Sequence, residues 1–278
     1  MARTRTLFAT LTRRGPHQVL RGDLGFAGIP GVVFTPAYGF HLPGVAFGHD
    51  WLTDTDNYTG TLEHLASWGI VSAAPGTQRG PVPSVLTLAH DLGATLDVIS
   101  GVRLGPGQIS VAPETLGLAG HGFGAAAAVL ASTGPAQVKA VAAVFPAVTK
   151  PSAEAAAAQL QVPGLVLATP DDAPSLRTDA LEVAAAWDGA VLRVVKKANA
   201  AGLAEKRRLT RLLGFPGSSD DTQKTVRALL TGFLLFHLTG DKTYQEFADP
   251  EADLPHTGRP DPDAPPVTDE DRIVALFR

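Results

Sequence analysis

The segment Leu116-Gly117-Leu118-Ala119-Gly120-His121-Gly122-Phe123-Gly124-Ala125-Ala126 reads as a strand that enters a tight, glycine-flanked turn and leaves as a helix. Such a turn lifts its central residue above the end of a sheet, and small residues on either side let strand and helix approach closely. The chemistry this geometry serves is acyl transfer by the serine of Gly-x-Ser-x-Gly. Here the frame is Gly120-His121-Gly122-Phe123-Gly124, and its centre, Gly122, carries no side chain. An acyl intermediate has no atom on which to form there. The chain also contains no cysteine, which removes thiol nucleophiles, disulfides and cysteine-bound metals.

Two imidazoles and two carboxylates are expected near the same place. His49-Asp50-Trp51 follows the apolar run Val45–Gly48, His121 precedes the turn centre, and Asp172 follows Leu165–Ala168. At the C-terminal ends of strands in an open α/β sheet they would lie where ligands bind. Four such groups could form an acid–base pair or hold a divalent metal. The plainer alternative is that both histidines are structural, and the expectation is no metal and no cofactor. Phe40, Trp51 and Phe123 are candidates for lining a cleft, with ordinary core packing as the alternative.

These groups need a scaffold, and the chain can build one. Its 278 residues are 45% hydrophobic, enough apolar mass to offset the entropy of ordering, so a disordered chain is excluded. The net charge of -4 leaves no basic field to attract nucleic acid or an anionic membrane. Strand-like runs at His17–Leu24, Gly31–Thr35, Val45–Gly48, Ile70–Ala74, Leu116–Ala119, Ala140–Phe145, Leu165–Ala168 and Val191–Val195 alternate with helical patterns. The helices are Thr61–Trp68, a long one capped by Ser84 with Val85, Leu88, Leu92, Leu96 and Ile99 on one face, Ala125–Ala131, Leu176–Trp187 and Thr225–Leu238. Strands separated by helices imply parallel pairing with helices on both faces, a doubly wound α/β domain.

The ends differ from the body. Met1–Phe8 has the basic opening of an export signal, but Arg13-Arg14 interrupts its short apolar stretch and no cleavage site follows. No run reaches the length of a membrane span, so a cytoplasmic protein is expected. Asp249–Glu270 carries seven acidic residues against one arginine, with several prolines, and is expected not to pack. Near its end Thr268 can cap a short helix whose Ile273, Leu276 and Phe277 share an apolar face, a candidate partner-binding surface. Residues 1–16, 17–248 and 249–278 are thus expected as N-terminal segment, α/β domain and tail. Lys206-Arg207-Arg208 with Arg211 makes a basic helical face, and Arg21-Gly22-Asp23 matches an adhesion tripeptide by chance.

Several ordered features over roughly residues 17–248 resemble the α/β-hydrolase fold, in the branch of dienelactone hydrolases and cutinase-like polyester hydrolases. Gly120-His121-Gly122-Phe123-Gly124 stands where that branch has Gly-His-Ser-Met-Gly. Gly48-His49-Asp50-Trp51 corresponds to the end of the strand bearing the oxyanion loop. Leu65-Ala66-Ser67-Trp68-Gly69-Ile70-Val71 is similar to the helix-to-strand junction that follows, and Asp241–Phe247 to the end of the last helix. The resemblance implies a triad at Gly122, Asp172 and Asn199, in the order nucleophile, acid, base. The first position has no side chain and the third is an amide, and no histidine occurs between His121 and His237. It implies oxyanion donors at the N–H groups of Phe123 and of a residue near Trp51. Asp50, if turned inward, would oppose the negative charge such donors stabilise.

Losing a triad member leaves only about 10³–10⁴-fold acceleration over water, far below the roughly 10⁶-fold or more of a working enzyme. The expectation is a catalytically inactive hydrolase-like scaffold that binds a partner protein or a small hydrophobic ligand. The alternative is an unconventional ester hydrolase working through His49, His121 and Asp172 without a serine.

Overall fold

The computed structural model describes residues 2–135, 137–173, 175–205 and 217–259. Nine strands form one sheet: β1 (Val19–Asp23), β2 (Gly31–Pro36), β3 (Gly39–Gly48), β4 (Val71–Pro75), β5 (Ile109–His121), β6 (Ala140–Val144), β7 (Gly164–Ala168), β8 (Ala190–Val195) and β9 (Thr257–Gly258). Their spatial order is β1-β2-β4-β3-β5-β6-β7-β8-β9. Strands β3 to β8 run parallel, while β1, β2 and β9 pair antiparallel at the two edges. A single α/β domain with this mostly parallel order is compatible with the α/β-hydrolase fold.

Period-two alternation splits the core into two layers. Val45 and Phe47 of β3, Ala142 and Val144 of β6, and Leu165 and Leu167 of β7 face one side. Ala46, Val141, Ala143, Val166 and Ala168 face the other. The first layer is closed by α1 (Ala2–Leu11), α2 (Thr59–Ser67) and α7 (Asp220–Thr239), the second by α3 (Val85–Gly101), α4 (Phe123–Ala131), α5 (Ala153–Ala157) and α6 (Ala180–Ala186). Ser84 caps α3 by accepting from Thr87 N–H, and Ser219 caps α7 in the same way from Thr222.

Three differences from the sequence reading have physical causes. The opening segment forms α1, whose Phe8 and Leu11 are buried in the first core layer, with Phe8 stacked on Phe247 at 6.3 Å. Residues after Asp249 do pack as far as Arg259, because buried Arg193 donates to the carbonyls of Asp249 (2.6 Å) and Ala252 (2.9 Å) and so holds them against the sheet. The final helix before β8 begins at Ala180 rather than Leu176, since Arg177 O accepts from Val148 N–H and Thr178 forms an antiparallel bridge with Ala147, which holds this stretch extended. The tail residues Ile273, Leu276 and Phe277, and the basic face of Lys206, Arg207, Arg208 and Arg211, lie outside the described residues.

Candidate functional site

Strand β5 ends at His121 and α4 begins at Phe123, so Gly122 alone makes the turn, at φ 55° and ψ -117°. That backbone region suits glycine and strains any residue with a Cβ. The close approach of β3, β5 and α4 explains the neighbouring glycines. A Cβ on Gly48 would lie 2.6 Å from Gly124 O, and one on Gly124 would lie 2.6 Å from His49 O. The elbow expected from the sequence is therefore built.

What fills it is Asp50, from the loop after β3. Its Oδ1 accepts a hydrogen bond from Phe123 N–H at 3.0 Å. That amide is the oxyanion donor implied for this position, and it already holds a negative oxygen. A Cβ on Gly122 would fall 2.5 Å from Asp50 Cγ and closer still to Oδ1. The carboxylate thus occupies the space of a nucleophilic side chain, with the positive end of α4 in front of it. A polar chain locks its backbone. Asp50 N–H donates to Tyr58 Oη (3.1 Å), and Thr53 Oγ1 donates to Asp50 O (2.6 Å).

Both histidines are buried and engaged. His121 Nε2 lies 2.6 Å from Ala200 O, so Nε2 carries the proton and Nδ1 accepts from Tyr58 Oη at 2.8 Å. Tyr58 and Phe145 flank the ring edge-on at centroid distances of 5.7 and 6.0 Å. His49 Nε2 lies 2.7 Å from Thr77 O, and its Nδ1 lies 2.9 Å from Asp50 O. Each ring ties loops together at the C-terminal edge of the sheet. Tyr58 is the residue the sequence reading missed, and only long-range contact reveals it. Tyr58→Phe removes the donor to His121 and the acceptor for Asp50 N–H. It is expected to cost about 1–3 kcal/mol, read as a lower urea midpoint at unchanged slope.

The other two positions that the hydrolase resemblance implies, Asp172 and Asn199, do not meet. Asp172 stands after β7, as expected, but its Oδ2 accepts from Leu181 N–H at 3.1 Å and so turns towards α6. Asn199 follows β8, with its Oδ1 buried and without a hydrogen-bond partner. Among the described residues no hydrogen bond joins Asp172 to Asn199. Beside Asp172 lies Asp179, 8% exposed. Burial first, then the charges of Asp172 and Glu182, push its carboxyl up to about 7. Burial likewise raises Asp172.

Phe123 is half-buried against the second core layer and Trp51 is 49% exposed at the turn mouth, its Nε1 donating to Pro81 O. Phe40 belongs elsewhere: it sits near the start of β3, at the opposite edge of the sheet, beneath the Arg103 guanidinium. Among the described residues no group of three His, Asp or Glu side chains is placed to hold a metal ion. No helix among them is long and apolar enough to cross a membrane. Of the tripeptide, Arg21 pairs with Asp56 and Asp23 caps the next turn. Comparison of the chain with protein-family models finds no match, and comparison with curated proteins finds none either.

Proposed function

We propose that this chain is a non-hydrolytic scaffold of the α/β-hydrolase type, similar to the dienelactone hydrolase and cutinase-like branch, whose role is to bind a partner protein. The carrying observation is the Asp50 carboxylate on Phe123 N–H, beside a turn residue without a side chain. An internal anion in the oxyanion position repels the charge that builds up in acyl transfer. Ester hydrolysis through His49, His121 and Asp172 finds little support, because both rings are fully buried and spent on other partners.

A partner protein is favoured over a small hydrophobic ligand because Asp50 fills the cleft while its rim stays apolar. Trp51, Leu52, Val148 and Leu176 are all exposed, and each follows the C-terminal end of a parallel strand. Leu52 holds a left-handed backbone, φ 52°, to stand out from the turn. The test pairs a fluorophosphonate probe with an activated nitrophenyl ester. No stoichiometric serine labelling and no turnover above the Asp50→Asn variant are expected. Labelling of one serine per chain refutes the scaffold reading. Partner capture that survives Leu52→Asp at unchanged fold removes the rim from it.

A further inference from the structure

A groove of about 500 Å³, none of whose lining residues belongs to the elbow, lies between α1 and the segment after α7. We propose that it is a binding site for a small amphipathic monoanion, a carboxylate on a short apolar chain. Its size falls within the range of small-molecule sites.

The walls are preformed. On one side Phe8 of α1 is locked by its stack on Phe247. On the other, buried Arg193 fixes the carbonyls of Asp249 and Ala252, Lys196 N–H donates to His256 O (2.9 Å), and Thr257 Oγ1 donates to Leu254 O (2.8 Å). Between these anchors His256 takes a left-handed backbone, φ 60°, and lays its ring 6.1 Å from Phe8. A histidine held in that conformation marks a place where the surrounding structure over-determines the chain.

The lining has two characters. Ala9 and Pro255 supply the accessible apolar surface above the buried Phe8 and Leu254, while Arg5, Lys196 and Asp253 supply charge. Among the described residues none of these three charged groups forms an ion pair, whereas Arg14, Arg21, Arg79 and Arg259 on other surfaces do. Two cations against one carboxylate leave a local excess of one positive charge on a chain whose net charge is -4. A monoanion balances that excess, and a carboxylate matches the fork of Arg5. An apolar chain behind it lies on Ala9 and Pro255, over a floor closed by the buried Phe8 and Leu254. A dianion such as phosphate would be left facing Asp253 uncompensated.

The experiment is a titration of the full chain with hexanoate, followed by calorimetry and by nuclear magnetic resonance of the His256 ring, with hexanol, hexylammonium and inorganic phosphate as separate arms. Saturable hexanoate binding that shifts His256 is expected, weakened about tenfold or more by Arg5→Gln and by Lys196→Gln, and about tenfold weaker for each other probe. Both side chains are exposed, so each variant should keep the parent unfolding curve. Absence of saturable hexanoate binding overturns the proposal, as do unchanged affinity in both variants and equal binding of hexanol. Phosphate binding as tightly as hexanoate overturns it too, in favour of a plain anion site.

Discussion

Gly122→Ser is expected to destabilise the protein by about 3–5 kcal/mol, the sum of left-handed backbone strain and overpacking against Asp50. The new Cβ would meet the Asp50 carboxylate at 2.5 Å from Cγ, in a turn pinned by Gly122 N–H on Val144 O. Asp50→Ala alone is expected to cost about 1 kcal/mol or less, because it removes the anion at the first turn of α4 where water can replace it. Combining the two recovers the overpacking share, so the double variant is more stable than Gly122→Ser by about 1–3 kcal/mol. Denaturant midpoints of the four proteins complete the cycle. Strict additivity would mean that Asp50 does not fill the elbow.

The same contact sets what restored chemistry requires. Gly122→Ser with Asn199→His is expected to remain inactive on an activated ester while Asp50 holds Phe123 N–H. Only the triple variant with Asp50→Ala frees the donor.

Asp179→Asn is expected to stabilise the protein by about 2–4 kcal/mol at pH 8 and to change the shape of its pH profile. A carboxyl raised to about 7 in the fold binds its proton more tightly than in the unfolded chain. Its contribution is fully present below pH 3.8 and is lost as pH rises through 7. His64, buried in α2 near Arg227, works the other way. Burial first, then the Arg227 charge, lower it from 6.5 to about 4. Its contribution is fully present above 6.5 and disappears as pH falls towards 4.

Between those values the two contributions slope in opposite directions. Asp179→Asn removes one of them. Stability of the variant should then rise with pH by up to about 1.4 kcal/mol per unit over the His64 window, and His64→Leu should show the reverse slope. Thermal unfolding at half-unit steps measures both. A constant offset between parent and Asp179→Asn across the range would show that Asp179 does not titrate in the fold.

Much of the scaffold was legible because it depends on local rules. Apolar runs of strand length between helical patterns point to a parallel sheet, and the fold has one. Ser84 before a five-residue apolar face announced α3 and its cap. The glycines of Gly120-His121-Gly122-Phe123-Gly124 announced the elbow, since only small residues allow β3, β5 and α4 to approach as they do. Other elements were hidden. Leu7, Phe8 and Leu11 of α1 look like the start of an export signal until Phe247 and α7 cover them. The two residues of β9 have no periodicity to detect. Arg193 did leave a signal, because alternation places it on the same face as Val191 and Val195.

By itself the sequence determined the negative fact, that the central residue of the turn carries no nucleophile and that no cysteine exists elsewhere in the chain, because chemistry needs an atom and composition records which atoms exist. Tertiary structure alone decided that Asp50 turns inward onto Phe123 N–H, that both imidazoles are consumed by loop contacts, and that Asp172 faces α6 rather than Asn199. Those outcomes depend on distances between segments up to 79 residues apart in the chain, as for His121 and Ala200. No local pattern encodes them. They follow from how the strands stack and which polar groups, once buried together, must satisfy one another.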